Sequence, residues 1–314
     1  MSNRYELLKD KPIIRKYRWC KVVVLVVLLI MLIMYLVNPV EEESELLKSL
    51  YTPQYTDNYT NENDSVIHIA ILSRPLDIEK RNMIRETWKK RLLVNMTLSF
   101  YIGTLNLTNE LNGILENEMQ LHNDLILFPD LIDAYESLSI KLLKIMVHIS
   151  TIPNIKWLFK TDTDVWLNPN ELYALLNRKA YQMAIGYHSE VKTPVVHYAE
   201  LRNDYYNNIY YPVFNVGAGY ALSIDVVHYL STQYIKKWLK LMPNEDSALG
   251  VWLSSLNVDM IHTDRINNYY SNKKWNYGHL LYCDEKDVVV HYLSPTLIKR
   301  ADSNYEKCQN PCGC

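Results

Sequence analysis

The sequence predicts an α/β fold beyond residue 65, on three observations. Residues 66–72 (VIHIAIL) are apolar at nearly every position, as a parallel strand covered on both faces requires, and Ser73-Arg74-Pro75 closes the run. Leu131, Tyr135, Leu138, Leu142, Ile145 and Ile149 recur at spacings of four and three, the period of an amphipathic helix. Trp157-Leu158-Phe159 is a short run of aromatic and branched residues that suits a buried strand, and Asp162-Thr163-Asp164 follows where that strand should end. Strand, helix and strand thus succeed one another.

Taken in order, the chain opens on a basic segment, residues 1–21, with Lys9, Lys11, Arg15, Lys16, Arg18 and Lys21. Residues 22–37 are an uncharged run of Val, Leu, Ile and Met with one Tyr, and 22–40 is expected to be a transmembrane signal anchor. A helix over that core run spans about 24 Å, which suits a thin early-secretory membrane. Glu41, Glu42, Glu43 and Glu45 follow, so the basic flank should stay cytosolic and the rest of the chain face the lumen. The expected location is the Golgi apparatus membrane, single-pass, type II. Glycosylation sequons at Asn58, Asn63, Asn95 and Asn106 all lie beyond the anchor. So do Cys283, Cys308, Cys312 and Cys314, which should form one or two disulfides in the tail with connectivity left open. Zinc is the lesser reading of that cluster.

Residues 41–64 are polar and without an apolar period, and read as a stem. The lumenal domain, 65–314, begins at the strand 66–72. A helix is expected over 77–93 with Asp77 as its cap, placing Arg81 and Arg85 on neighbouring turns. Two readings of these arginines are open: a phosphate contact, or a solvated basic face beside Glu79 and Glu86. Strands are expected at 98–103 and 124–128, a helix at 131–149, then a short helix at 171–179 and a strand at 182–187. Residues 194–211, rich in Tyr and Asn, are a candidate acceptor-side loop. Helices at 224–241 and 245–256 and late strands at 259–262 and 288–291 complete the domain. A net charge of −2 with 22% charged residues gives no basic field, so no nucleic-acid partner is expected. The 25 tyrosines could line a sugar cleft but serve equally as half-buried packing.

Ligands of open α/β sheets gather outside the carboxyl ends of the strands, and Asp-x-Asp there offers hard oxygen ligands to magnesium or manganese. By itself the tripeptide reads rather as a solvated turn. Its setting decides. Arg81-x-x-Ile84-Arg85-x-Thr87-Trp88, Asp130-Leu131-x-Asp133-x-Tyr135 with Leu138, Ser139 and Lys141, and Lys160-x-Asp162-x-Asp164-Val165 occur in that order. Tyr211-Pro212, Gly217-x-Gly219-Tyr220-x-Leu222-Ser223-x-Asp225, Glu245-Asp246-x-x-x-Gly250 and His291-x-x-Ser294-Pro295 follow. In these motifs the lumenal domain resembles the β-1,3-galactosyltransferases and the related β-1,3-N-acetylglucosaminyltransferases, over roughly residues 66–296.

The resemblance implies a GT-A-type glycosyltransferase domain with a Rossmann-like nucleotide-binding half and an acceptor-binding half. It implies Mn²⁺ or Mg²⁺ on Asp162, Asp164 and His291, with Asp164 the more direct ligand; without the motif, His291 would equally be a core strand histidine. Arg81 and Arg85, with Asp162, fall on the nucleotide side. Asp246 is the implied catalytic base, Glu245 the alternative, and Gly217, Gly219 and Tyr220 belong to a substrate loop beside it. The implied partners are UDP-galactose as donor and a glycan acceptor on a glycoprotein or glycolipid, with a homodimer also expected. Forming a β linkage from an α-linked donor inverts the anomeric carbon, so a base must face the leaving diphosphate from across the sugar. UDP-N-acetylglucosamine as donor, or an inactive lumenal binding or folding partner, are the alternatives. The chain departs from the family at Thr163, where an aspartate is common, at Trp166-Leu167, and at Asn215 and Trp252, where cysteines often stand.

Overall fold

The computed structural model describes residues 66–191, 193–195, 206, 208–266, 280 and 283–314, with Leu25 and Leu29. The expected stem, Asn58 and Asn63 lie outside these residues, as does the expected anchor but for its two helical, exposed leucines. Among the described residues no helix is long and apolar enough to cross a membrane.

A mixed seven-stranded sheet in the order β3-β2-β1-β4-β7-β6-β8 carries the domain. Its first half is parallel: β1 (Val66–Leu72), β2 (Met96–Gly103), β3 (Leu125–Phe128) and β4 (Ile155–Asp162). The second half has β6 (Met183–His188) parallel to β8 (Asp259–His262), and between β4 and β6 lies β7 (Asn215–Ser223), antiparallel to both. Alternate residues of β1 feed two cores. Ile67, Ile69 and Ile71 join Trp88, Phe100, Trp157 and Phe159 on one face. Ala70 and Leu72 join Leu142, Ile145, Val227, Leu230 and Leu249 on the other. A strand apolar at all but one position, His68, is what two covered faces require.

The helices are α1 (Ile78–Glu86), α2 (Asn109–His122), α3 (Leu138–Ile149), α4 (Pro169–Leu176), α5 (Ile224–Ile235), α6 (Glu245–Leu253) and α7 (Pro295–Cys308). Several differ from expectation for local reasons. α1 ends at Glu86 because Thr87 leaves helical geometry, its hydroxyl donating to the Met83 carbonyl at 2.6 Å; a short 3-10 turn, Trp88–Arg91, follows. Asp77 does not cap α1 with its side chain but accepts from the Arg74 amide at 3.1 Å. α3 starts at Leu138 rather than 131, because Asp133 is tied to the end of β2 by the Gly103 amide at 2.9 Å and to Lys141 at 2.6 Å. α5 stops at Ile235, and Lys237 turns the chain in the left-handed region, φ 58°.

Two helices were not anticipated. α2 is capped by Thr108, which accepts from the Leu111 amide at 3.3 Å, and α7 by Ser294 ahead of Pro295, a start signal legible in the sequence. Residues 217–220, expected to lie in a substrate loop, are instead the centre of β7. The tail is closed by two disulfides, Cys283–Cys312 and Cys308–Cys314, so the zinc reading falls.

Candidate active site

β4 runs in the middle of the sheet and ends at Asp162, level with Leu72 of β1, so the acids of Asp162-Thr163-Asp164 emerge at the carboxyl edge of the parallel strands. Beyond Asp164 the chain forms β5 (Trp166–Leu167), which pairs antiparallel with β9 (Val289–Val290). That two-stranded ribbon carries His291 back to Asp164: the Leu293 amide donates to the Asp164 carbonyl at 2.9 Å, and His291 Nε2 lies 3.4 Å from Asp164 Oδ1. Ligand atoms of Asp162, Asp164 and His291 all lie within 4.8 Å of one another. Ligands of one small divalent ion at about 2.1 Å lie between about 3 and 4.2 Å apart, so the three atoms stand near enough to share an ion once their side chains close in on it. His291 Nδ1 is buried and has no hydrogen-bond partner. Two carboxylates with an imidazole are a donor set suited to manganese. Burial favours the neutral Asp164 acid, but the His291 hydrogen bond and charge, then Lys80, hold its carboxyl below the ordinary range. Burial has the upper hand at Asp162 and raises it, against the pull of Lys160.

Lys160, two residues before Asp162 on the same side of β4, is fully buried. Its ammonium has three donors and three acceptors: the Gly217 carbonyl at 3.0 Å, Glu245 Oε1 at 3.0 Å and Asp162 Oδ1 at 3.2 Å. Burial pulls Lys160 down, but Asp162, Glu245 and Asp246 outweigh it and hold it well above the usual lysine value. One cation therefore ties β4, β7 and the first turn of α6 together. Asn244 starts that helix by accepting from the Ser247 amide at 2.9 Å, and its amide nitrogen donates to Tyr135 Oη at 3.1 Å.

Glu245 and Asp246 sit in the first turn of α6, both buried. Glu245 is spent on Lys160. Asp246 lies against Gly217, whose amide donates to its carboxylate, while Oδ1 has no partner. A Cβ on Gly217 would come within 2.6 Å of Asp246 Oδ2, so the glycine is required for close approach rather than for a flexible loop. Burial first, then Glu245, pushes the Asp246 carboxyl well above its ordinary value. Gly219 packs likewise, on Phe159, and Tyr220 is fully buried with its ring 5.6 Å from Lys160 Nζ. Gly219 and Tyr220 thus belong to the wall under the site.

The two arginines are held by protein partners. Arg81, fully buried, grips Glu118 through two bonds of 2.8 and 2.7 Å and also donates to Ser73 Oγ, the Arg74 carbonyl and the Pro75 carbonyl. Arg85 makes a bidentate pair with Asp124 at 2.9 and 2.7 Å and reaches Glu118 at 2.8 Å. Neither the open phosphate contact nor the solvated basic face describes them. Thr163 is buried, a place where a third carboxylate would need its own neutralisation, and Asn215 and Trp252 are buried too, Trp252 donating to the Lys240 carbonyl at 2.8 Å. Of residues 194–211, the described part has Pro194 bridged to Tyr210 and Tyr206 stacked on Tyr211 at 5.3 Å. Asn106 is exposed in a left-handed turn, φ 68°, and Asn95 is partly exposed ahead of β2. Sequence reasoning missed Lys160 as the centre of the site; a lysine inside an apolar strand run was the available signal.

At the carboxyl edge of the mixed sheet the fold thus gathers a triad that could hold a cation and a buried carboxylate, Asp246, with an unpartnered oxygen, which together form a candidate enzyme site. Residues 79–264, more than half of the chain, match the family described as Galactosyltransferase. The chain therefore belongs to the galactosyltransferase family and is a glycosyltransferase of the hexosyl-transferring class. It is 28% identical over 240 residues to beta-1,3-galactosyltransferase 6 of Mus musculus, covering 72% of this chain and 69% of that protein. It is 27% identical over 255 residues to beta-1,3-galactosyltransferase 1 of Homo sapiens, covering 77% and 74%. Among solved structures, the apo-form glycosyltransferase GlyE of Streptococcus pneumoniae TIGR4 superposes with a TM-score of 0.40 at 11% identity, covering 73% of this chain and 55% of that one.

Proposed function

We propose that the chain transfers galactose from UDP-galactose to a glycan acceptor on a glycoprotein or glycolipid, forming a β-1,3 linkage with inversion, on a GT-A-type domain. The observation that carries this reading is the convergence of Asp162, Asp164 and His291 from segments far apart in sequence, with Asp246 joined to them through Lys160 and Glu245. Asp162, Asp164 and His291 would hold manganese or magnesium, which when bound stabilises the charge developing on the leaving diphosphate. Asp246 takes the proton of the acceptor hydroxyl as that oxygen attacks the anomeric carbon, a role worth about 10²–10⁴-fold in rate. Glu245, neutralised by Lys160, holds the helix and leaves Asp246 as the base. The relatives named above are β-1,3-galactosyltransferases, which supports the donor and linkage. The apolar run at 22–37 and the basic segment before it support a Golgi-membrane, type II placement with 41–64 as stem and the domain lumenal; a homodimer belongs to the same reading.

The test is to incubate the full chain in detergent with manganese and a panel of UDP-sugars, with and without simple sugar acceptors. Acceptor-dependent UDP release is expected, largest with UDP-galactose, and Asp164→Ala should abolish its dependence on the metal. Preference for UDP-N-acetylglucosamine would move the donor assignment; acceptor-independent binding without release would make the chain a binder.

A further inference from the structure

A nucleoside diphosphate entering this cleft meets an acidic wall: Asp162, Asp164, Glu245 and Asp246, with Lys160 already saturated by two of them and by a backbone carbonyl. Beyond the metal that the triad would hold, cationic side chains must come from elsewhere, and the two arginines expected to supply them are neutralised by Glu118 and Asp124. What Arg81 does instead is fix the turn after β1, where Leu72 is level with Asp162. It donates to the carbonyls of Arg74 at 2.7 Å and Pro75 at 3.3 Å, while buried Lys141 donates to the Ser73 carbonyl at 2.7 Å. Three successive carbonyls are thereby held by buried cations, and their negative ends are taken up inside the protein.

Two cations at this edge keep charge to spare. Arg74 is exposed, and among the described residues its guanidinium has no hydrogen-bond or ion-pair partner. Lys80, in the first turn of α1, is 40% exposed and only loosely paired with Asp77, at 3.7 Å. Asp77 in turn accepts from the Arg74 amide, so one carboxylate relates the two cationic residues across the β1–α1 turn. Lys80 also lies within electrostatic reach of Asp164, on the edge where the cation triad sits.

We infer that Arg74 and Lys80 are the side chains that take the donor's diphosphate, and that Arg81 is a positioning residue that fixes the turn presenting them. A guanidinium and an ammonium on one turn suit a two-phosphate group better than a single phosphate, because each can neutralise separate oxygens. The inference rests on the donor reading above.

UDP and UMP binding to the full chain in detergent, with manganese present, tests it by calorimetry on wild type, Arg74→Gln, Lys80→Gln and the double variant. The double variant should lose about tenfold or more in UDP affinity, lose less for UMP, and show a shallower salt dependence, as removal of two exposed phosphate-facing charges predicts. The charge-keeping pair Arg74→Lys with Lys80→Arg should retain most of the affinity, and melting temperatures should stay unchanged. Wild-type binding of UDP that the double variant matches within twofold overturns the assignment and leaves the donor reading standing. Failure of the wild type to bind UDP overturns both, and equal loss of UDP and UMP with a lowered melting temperature overturns the diphosphate role in favour of a structural one.

Discussion

Asp246 concentrates the conflict between stability and chemistry at one side chain. Its carboxyl is buried and held well above the ordinary value, so the folded chain binds that proton more tightly than the unfolded chain does. Between the ordinary carboxylate value and the raised one, ionising Asp246 costs the folded state, and stability declines as pH rises through that window. Asp246→Asn removes the cost. The expected outcome is a loss of at least about 10²-fold in turnover with UDP binding kept, together with a higher melting temperature at neutral pH. Each kcal/mol relieved should raise it by about 2–4 °C in a domain of this size. Full activity in this variant would move the base to Glu245. Gly217→Ala makes the complementary point, because the added methyl meets Asp246 Oδ2 at 2.6 Å. Displacing the base by about 1 Å should lower kcat by about 10²-fold, with UDP affinity near wild type; an unchanged kcat would show that β7 yields to the methyl.

Between elements, polar groups that the site does not use bind α3 to the sheet. Tyr101 Oη of β2 lies 3.0 Å from His68 Nε2 of β1 and 3.0 Å from His148 Nδ1 of α3, and His68 Nδ1 lies 2.8 Å from Thr97 Oγ1. Burial, then the neighbouring His148, pushes His68 down from 6.5 to about 3. Here the unfolded chain binds the proton more readily, so His68 withdraws stability as pH falls from 6.5 towards about 3. The loss is at most about 5 kcal/mol. Denaturant midpoints at pH 7 and pH 4.5 should differ less in His68→Gln than in wild type; an equal difference would place the acid sensitivity elsewhere.

Across the whole molecule, the site depends on a tail far from β4 in sequence. Cys283–Cys312 closes a separation of 29 residues that contains β9, His291 and α7, and α7 is locked in turn by Trp166 Nε1 donating to Asp302 at 3.1 Å. A loop of this length contributes between about 3 and 5 kcal/mol in the chain-entropy view. Reducing agent should lower the melting temperature and weaken manganese-dependent transfer together, because the same closure holds His291 beside Asp164. Loss of stability with unaltered metal dependence would show that the β5–β9 ribbon holds the histidine without the disulfides.

Periodicity and local chemistry determined much of this protein in advance. The apolar runs 66–72 and 157–159 pointed to buried strands, the three-and-four spacing from Leu131 to Ile149 to a helix whose first turn the structure then replaced, and Asp162 and Asp164 to a strand end. Motif order added Asp246 and His291. Tertiary structure alone decided how charges were shared out, because that depends on which acids lie across space: Glu118 and Asp124 claim Arg81 and Arg85, and Lys160 claims Glu245. It also decided that Gly217 and Gly219 line a strand, since a glycine needed for close packing and one needed for a loop read alike until the neighbouring side chain is in place.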